Sequence, residues 1–291
     1  MKSRYLWLTA LVILIVMVIF VTVRLATAAD PVLVGAGDIA DCKTKGAQLT
    51  AQLISKIDGT VFAIGDEAYE NGSTADFQNC YDPTWGAFKD RTRPATGNHE
   101  YLTPAANPYY AYFGSSAGTP GEGYYSYNVG AWHIIVLNSS ISAKAGSKQE
   151  KWLRADLAAN PTACALAYWH HPRFSSGYHG TLDPQPMEDV WRDLYDAGVD
   201  VVLSGHDHDY ERFAPQDPAG NADPAHGIRE FVVGTGGAPH RNFYVPRANS
   251  EVFDTKTWGV LKLTLHPTSY DWEFIPVEGQ TFHDSGSATC H

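Results

Sequence analysis

Short apolar runs broken by glycine set the rhythm of this chain. Residues 32–34 and 61–64 are unbroken apolar stretches of strand length, the second with the character of a strand buried on both faces. Between them Leu49, Leu53 and Ile57 recur at helical spacing, which predicts a helix over 47–57. Residues 124–129 and 132–137 read as strands joined by a turn at Gly130. Ser147 with Glu150 three residues on is a capping box, opening a helix through Leu153 and Leu157. A strand over 163–169, a helix over 188–197 stopped by Gly198, and a strand over 199–203 follow. Residues 231–233, 260–265 and 270–275 complete the strands, the last two with alternating character.

Strand and helix alternate in the early half, and strands dominate the late half. This order predicts a mixed α/β fold of two stacked mixed sheets flanked by helices, a four-layer α/β/β/α sandwich in one domain over 30–291. Residues 71–123 are rich in Gly, Pro, Asn and Tyr and read as loop with short helical turns. Residues 239–256 read as one long loop, of a length often used for lids and rims. There is no internal repeat and no low-complexity segment.

The N-terminus differs from the rest. Lys2 and Arg4 precede an uncharged run over 5–23, then Arg24 and the small-residue pattern Ala26-Thr27-Ala28. Residues 1–29 therefore read as a secretory signal peptide cleaved near Ala28 or Ala29. The run also approaches the ~18–20 residues that span a bilayer, so an uncleaved anchor is the alternative. Either way the remainder is placed outside the cytoplasm, secreted or membrane-anchored. Without this segment 18 basic residues face 32 acidic ones, which disfavours binding to nucleic-acid phosphates. Four cysteines in an exported chain suggest two disulfides, with three possible connectivities. Cys42–Cys80 with Cys164–Cys290 is the preferred set: it ties two loops near candidate ligands and pins the C-terminal tail. Metal ligation by cysteine is disfavoured, since no C-x-x-C pair occurs.

Candidate chemistry lies where strands end. Gly37-Asp38, Gly65-Asp66-Glu67-Ala68-Tyr69, Gly97-Asn98-His99-Glu100, His170-His171 and Gly205-His206-Asp207-His208 occur in that order. Taken singly, each is as well explained by a turn, a helix cap or a hydrogen-bonded core histidine. Together they supply carboxylates, an amide and imidazoles, the ligand types of a two-metal site that clamps a displacement reaction.

This ordered set, spanning residues 38–208, resembles the calcineurin-like metallophosphoesterases. Tyr69, three residues after Asp66, and Tyr210-Glu211-Arg212 resemble their purple acid phosphatase branch. The resemblance implies two metal ions, with Fe(III) at the tyrosine side and Fe, Zn or Mn at the other. It assigns Asp38, Tyr69 and His208 to the first metal and Asn98, His170 and His206 to the second, with Asp66 bridging. His171 competes with His170, but the family's ligand lies two residues before proline, which selects His170. His99 becomes the outer-sphere acid, Glu100 a partner holding His99, and His179 a substrate-facing histidine. Ala40 stands where the family usually has glycine, a mild change in the turn. Asp38 lies only eight residues after Asp30, which leaves no room there for the N-terminal β-domain of the larger plant-type members.

The implied activity is hydrolysis of phosphomonoesters by in-line attack of a metal-bound hydroxide, as in acid phosphatases. The partner is then a small phosphorylated substrate. Two other readings remain open at this level. One is a phosphodiesterase or nucleotide pyrophosphatase on the same site, which the 239–256 rim would decide. The other is a non-catalytic metal-binding or adhesion module, against which the intact ligand set argues. Gly234-Thr235-Gly236-Gly237 offers either backbone donors to substrate or a simple turn.

Overall fold

Two mixed sheets pack face to face in the computed structural model, which describes residues 29–182, 187–242 and 245–291. The expected signal segment lies almost wholly outside the described residues. No helix among the described residues is long and apolar enough to cross a membrane. Residues 31–291 form one compact unit.

The first sheet contains β1 (Val32–Ala36), β2 (Thr60–Ile64), β3 (Thr92–Ala95), β11 (Gly259–His266), β12 (Ser269–Pro276) and β13 (Asp284–Thr289). Its order is β13-β12-β11-β1-β2-β3, with β1, β2 and β3 parallel. The second contains β4 (Tyr125–Val129), β5 (Trp132–Val136), β6 (Ala165–Tyr168), β7 (Val201–Ser204), β8 (Tyr210–Phe213), β9 (Arg229–Val233) and β10 (Ser250–Asp254). Its order is β10-β8-β9-β7-β6-β5-β4, with β5, β6, β7 and β9 parallel.

The inner faces meet in an apolar core. Phe62 of β2 lies 6.2 Å from Tyr168 of β6, and Phe231 of β9 lies 5.8 Å from Trp272 of β12, between ring centroids. Helix α1 (Gly46–Ile54) buries Ala47, Ala51 and Ile54, and α2 (Asn107–Phe113) buries Tyr109, Tyr110 and Phe113. Helices α3 (Lys148–Ala159) and α4 (Glu188–Asp196) place Leu153, Val190, Trp191 and Leu194 in one cluster with Ile135, Ala167 and Val202 of the second sheet. Burying such side chains contributes about 1.5–3 kcal/mol each. Truncating Trp191 would cost about 3–5 kcal/mol.

Several sequence expectations acquire detail here. Ser147 Oγ accepts the Glu150 N–H at 3.1 Å, as a capping residue should. The Glu150 carboxylate, however, reaches the Gly146 N–H at 2.9 Å, so only half of the capping box forms as expected. The cysteines pair as Cys42–Cys80 and Cys164–Cys290. With separations of 38 and 126 residues, the chain-entropy model assigns them about 4–5 kcal/mol each. The expected 239–256 loop is in part strand, because β10 pairs antiparallel with β8. β3 and β13 were not expected either. Both are edge strands of polar or irregular composition, and β3 carries Pro94, which a sheet tolerates at its edge.

Candidate metal centre

The parallel strands of both sheets end at one edge, and the sequence motifs occupy the turns that follow them. Asp38 follows β1, Asp66 follows β2, Asn98 follows β3, His170 follows β6 and His206 follows β7. The two sheets are stitched together here: Gly37 N–H donates to Val233 O at 2.8 Å and Gly236 N–H to Gly37 O at 2.9 Å. Asp38, Asp66 and His206 have φ of 57°, 51° and 68°. Left-handed backbone is costly for such residues and clusters at functional sites. Gly97 is required by contact: a β-carbon there would lie 2.1 Å from Asp66 Oδ1.

The side chains converge as two sets of donor atoms. In the first, Tyr69 Oη lies 2.8 Å from Asp38 Oδ1, 3.2 Å from Asp66 Oδ2 and 3.2 Å from His208 Nε2. His208 Nε2 is 3.3 Å from Asp38 Oδ1. In the second, His170 Nε2 lies 3.1 Å from Asn98 Oδ1, 3.2 Å from His206 Nδ1 and 3.2 Å from Asp66 Oδ2. Asp66 Oδ2 belongs to both. Donors held about 2.0–2.2 Å from a cation sit roughly 2.8–3.5 Å from one another, so both sets have the spacing of a coordination shell. Asp66, His170 and His206 also form a buried trio able to hold a metal ion.

The protonation preferences fit a cation. Burial raises the Tyr69 phenol well above its usual range, and Asp38 and Asp66 raise it further. Only a nearby positive charge would free that oxygen as a ligand. Burial disfavours charge on His170, but the Asp66 carboxylate outweighs it and pushes the imidazole up to about 10. A proton is thus held where a cation would sit. Burial and then His170 keep His206 well below its ordinary value, so it is a neutral imidazole.

Backbone carbonyls orient the rings. His170 Nδ1 lies 2.8 Å from Ile64 O and His208 Nδ1 lies 2.7 Å from Pro239 O. Each ring therefore keeps a proton on Nδ1, so a bound cation would displace only the inward Nε2 proton, the arrangement found around metal-ligating histidines. His99 lies beside the first set, with its ring 4.5 Å from that of Tyr69 and its Nε2 3.7 Å from Asp66 Oδ2.

Glu100 does not hold His99, contrary to the expectation. Its buried carboxylate accepts the backbone N–H groups of Asp66, Glu67 and Gly97 at 2.9–3.0 Å, locking the Asp66 turn onto the Asn98 turn. His99 Nδ1 is held at 2.6 Å by Glu70 O instead. His179 lies beside the second set: its ring is 4.0 Å from that of His206 and its Nδ1 is buried without a partner.

Sequence reasoning missed the supports. Asp207, between the two histidines, accepts from Ser175 Oγ and from the His179 and Gly180 N–H groups, so it positions the His179 turn. Tyr210 and Arg212 point away from the centre to Asp284, while Glu211 accepts from Ser176 and Ser250. That run is scaffold. Two cavities flank the donor sets. One, of about 690 Å³, is lined by Asn98, Ser139, Lys144, His171, His179 and His206 among others. The other, of about 370 Å³, includes Lys43, Tyr69, His99, His208 and Arg241.

A buried pair of donor sets sharing one carboxylate, at the common edge of two stacked sheets, defines a metallophosphoesterase scaffold. The chain belongs to the calcineurin-like phosphoesterase family, whose model matches residues 30–210. Purple acid phosphatase 15 of Arabidopsis thaliana is 28% identical over 197 residues, covering 56% of this chain and 37% of that protein. Probable purple acid phosphatase 20 of the same plant is 32% identical over 190 residues, covering 57% and 43%. This chain thus matches less than half the length of these curated relatives. The structure of purple acid phosphatase PPD1 from yellow lupin (Lupinus luteus) seeds superposes with a TM-score of 0.77 over 90% of this chain and 54% of that one. At 20% identity that likeness shows the fold. Membership of this family implies a dinuclear metal centre.

Proposed function

We propose that this protein is an exported dinuclear-metal phosphoesterase acting on small phosphomonoesters. The carrying observation is that Asp66 Oδ2 completes two donor sets, one with Asp38, Tyr69 and His208, the other with Asn98, His170 and His206. Two cations so held would neutralise phosphoryl charge and lower the pKa of bound water. The protein's residues do the rest. Asp66 fixes the spacing of the two sets. The carbonyls of Ile64 and Pro239 keep the ligand nitrogens bare. His99, tethered by Glu70 O, supplies a proton or hydrogen bond to the leaving oxygen. His179 faces the substrate from the larger cavity.

The Tyr69 phenol favours Fe(III) in the first set, with Fe, Zn or Mn in the second. A visible charge-transfer band that disappears in Tyr69→Phe is the expected signature. Residues 30–291 are the catalytic domain and residues 1–29 the export segment. The two disulfides support export, since such bonds persist in oxidising compartments. The acidic balance disfavours a nucleic-acid partner.

Hydrolysis of p-nitrophenyl phosphate beside bis-p-nitrophenyl phosphate, with metals supplied, tests the reading. Faster monoester turnover is expected. Turnover of the diester alone would make the protein a phosphodiesterase.

A further inference from the structure

The surroundings of His171 give it a role separate from that of its neighbour His170. It lines the larger cavity although the residue is only 5% exposed. Its backbone is fixed on both sides: the His171 N–H donates to Ser139 Oγ at 3.0 Å, and Trp169 Nε1 donates to His171 O at 2.7 Å. Its ring packs against those of His170 and His206, with centroids 5.1 and 4.3 Å away.

The hydrogen-bond partners favour one tautomer. Ser139 Oγ already accepts the His171 N–H, and its own proton has one acceptor among its contacts in the described residues, His171 Nδ1 at 2.7 Å. With Ser139 Oγ as the donor, Nδ1 is the acceptor and Nε2 carries the hydrogen. Ser139 is itself held firmly, because the Gln149 side chain of α3 bonds both N–H and C=O of Asn138, at 2.7 and 3.0 Å. The result is an immobilised N–H beside His206, in a cavity that also holds Asn98 and His179.

Building on the phosphoesterase reading above, we propose that His171, locked by Ser139, donates a hydrogen bond from Nε2 to a phosphoryl oxygen of the substrate. A neutral imidazole whose other nitrogen accepts a hydrogen bond holds its remaining proton too tightly to serve as the acid. Its contribution is a preorganised donor for charge that grows during displacement, a role worth roughly 10²–10³ in rate when one donor is removed. Ser139 is the positioning residue.

The test compares the full-length wild-type protein with His171→Ala, His171→Gln, Ser139→Ala and the double alanine variant, all metal-loaded. Metal content, kcat and KM on p-nitrophenyl phosphate, and calorimetric binding of inorganic phosphate are the readouts. His171→Ala should lower kcat about 100-fold and weaken phosphate about tenfold at unchanged metal content. Ser139→Ala should lower kcat about tenfold in the wild-type background and not at all in His171→Ala. His171→Gln, which restores an N–H, should recover part of the loss. Unchanged phosphate binding in His171→Ala, a Ser139 effect that persists without His171, or metal loss in His171→Ala would each overturn the proposal. A wild-type protein inactive on all phosphoesters would instead sink the phosphoesterase reading, and phosphate binding would still decide the role of His171.

Discussion

The backbone N–H of His206 donates to Asp38 Oδ2 at 2.8 Å, so the first and last motifs of the chain share one carboxylate across 168 residues. The other oxygen, Oδ1, faces Tyr69 and His208. One buried side chain therefore both joins the two sheets and completes a donor set. Asp38→Ala should leave the buried His206 N–H without a partner, at a cost of about 1–3 kcal/mol. Urea unfolding of the metal-free protein measures this loss, and metal analysis should show reduced loading. Wild-type stability in the metal-free variant would show that the Asp38–His206 bond carries no structural weight.

Gly97 offers a steric test of the shared carboxylate. A methyl group at that position collides with Asp66 Oδ1 and with the Asp66 backbone nitrogen, 2.1 and 2.3 Å away. Either Asp66 or the Asn98 turn must move, and both donor sets include Asp66 Oδ2. Gly97→Ala is expected to lose metal from both sets and to lower kcat/KM at least about 100-fold, since misplacement by about 1 Å can cost that much. Metal content per chain, measured on the purified variant, separates this from a purely kinetic defect.

These two relations show what a single sequence reveals. The candidate ligands were legible because, Asn98 apart, they lie in short local motifs after an apolar run, as with Gly65-Asp66 after β2. The central strands were legible because burial on both faces leaves unbroken apolar stretches, as at Val61–Ile64. The edge strands β3, β10 and β13 were not, because one side lacks a partner and polar residues are tolerated there: β13 reads Asp-Ser-Gly-Ser-Ala-Thr, although the edge strand β4 was legible and the interior β8, Tyr-Glu-Arg-Phe, was not. Long-range partners were the least legible. The grip on His99 is a main-chain carbonyl, which leaves no residue signature. Adjacency suggested that Glu100 holds His99, where the geometry gives it the backbone of a turn more than thirty residues earlier. Ser139 carried no signal at all until β5 and β6 were seen side by side.

Asp284 on β13 ties the two sheets together and makes stability pH-dependent. Its carboxylate accepts from Tyr210 and Arg212 of β8 and from Trp272 of β12. Burial alone would raise its pKa, but the Arg212 and Tyr210 hydrogen bonds hold it below the ordinary 3.8. A depressed folded-state pKa stabilises the fold above the unfolded value, and that contribution is lost as pH falls through the folded one. Asp284→Asn should therefore lose about 1–2 kcal/mol at pH 7. The difference from wild type should shrink as pH drops below about 4. A difference that stays constant from pH 7 to 3 would show that the charge is not responsible.

Metal removal should be visible in stability as well as in activity. The unfolded chain has no preformed site, so metal binds the folded state preferentially, and at a hundredfold excess over Kd this adds about 2.7 kcal/mol per site. Chelation should lower Tm, and readdition should restore it. In Asp66→Asn the Tm should respond far less to chelator, because both donor sets lose their shared oxygen. Full metal occupancy in that variant would contradict the bridging role.

His99 is the residue whose loss should separate chemistry from binding. Its Nδ1 is tied to Glu70 O and its ring rests on Tyr69, so Nε2 is held toward the donor sets with its side chain one-fifth exposed to the smaller cavity. It belongs to neither donor set, so His99→Ala should keep its metal. The expected change is a fall in kcat of about 10²–10⁴ with little change in KM, the range for a lost proton donor. The fall should be steeper on phenyl phosphate than on p-nitrophenyl phosphate, because the poorer leaving group depends more on protonation. Equal losses on both substrates would remove His99 from proton transfer and leave it a role in fixing the Asp66 turn, whose Oδ1 accepts the His99 N–H at 2.9 Å.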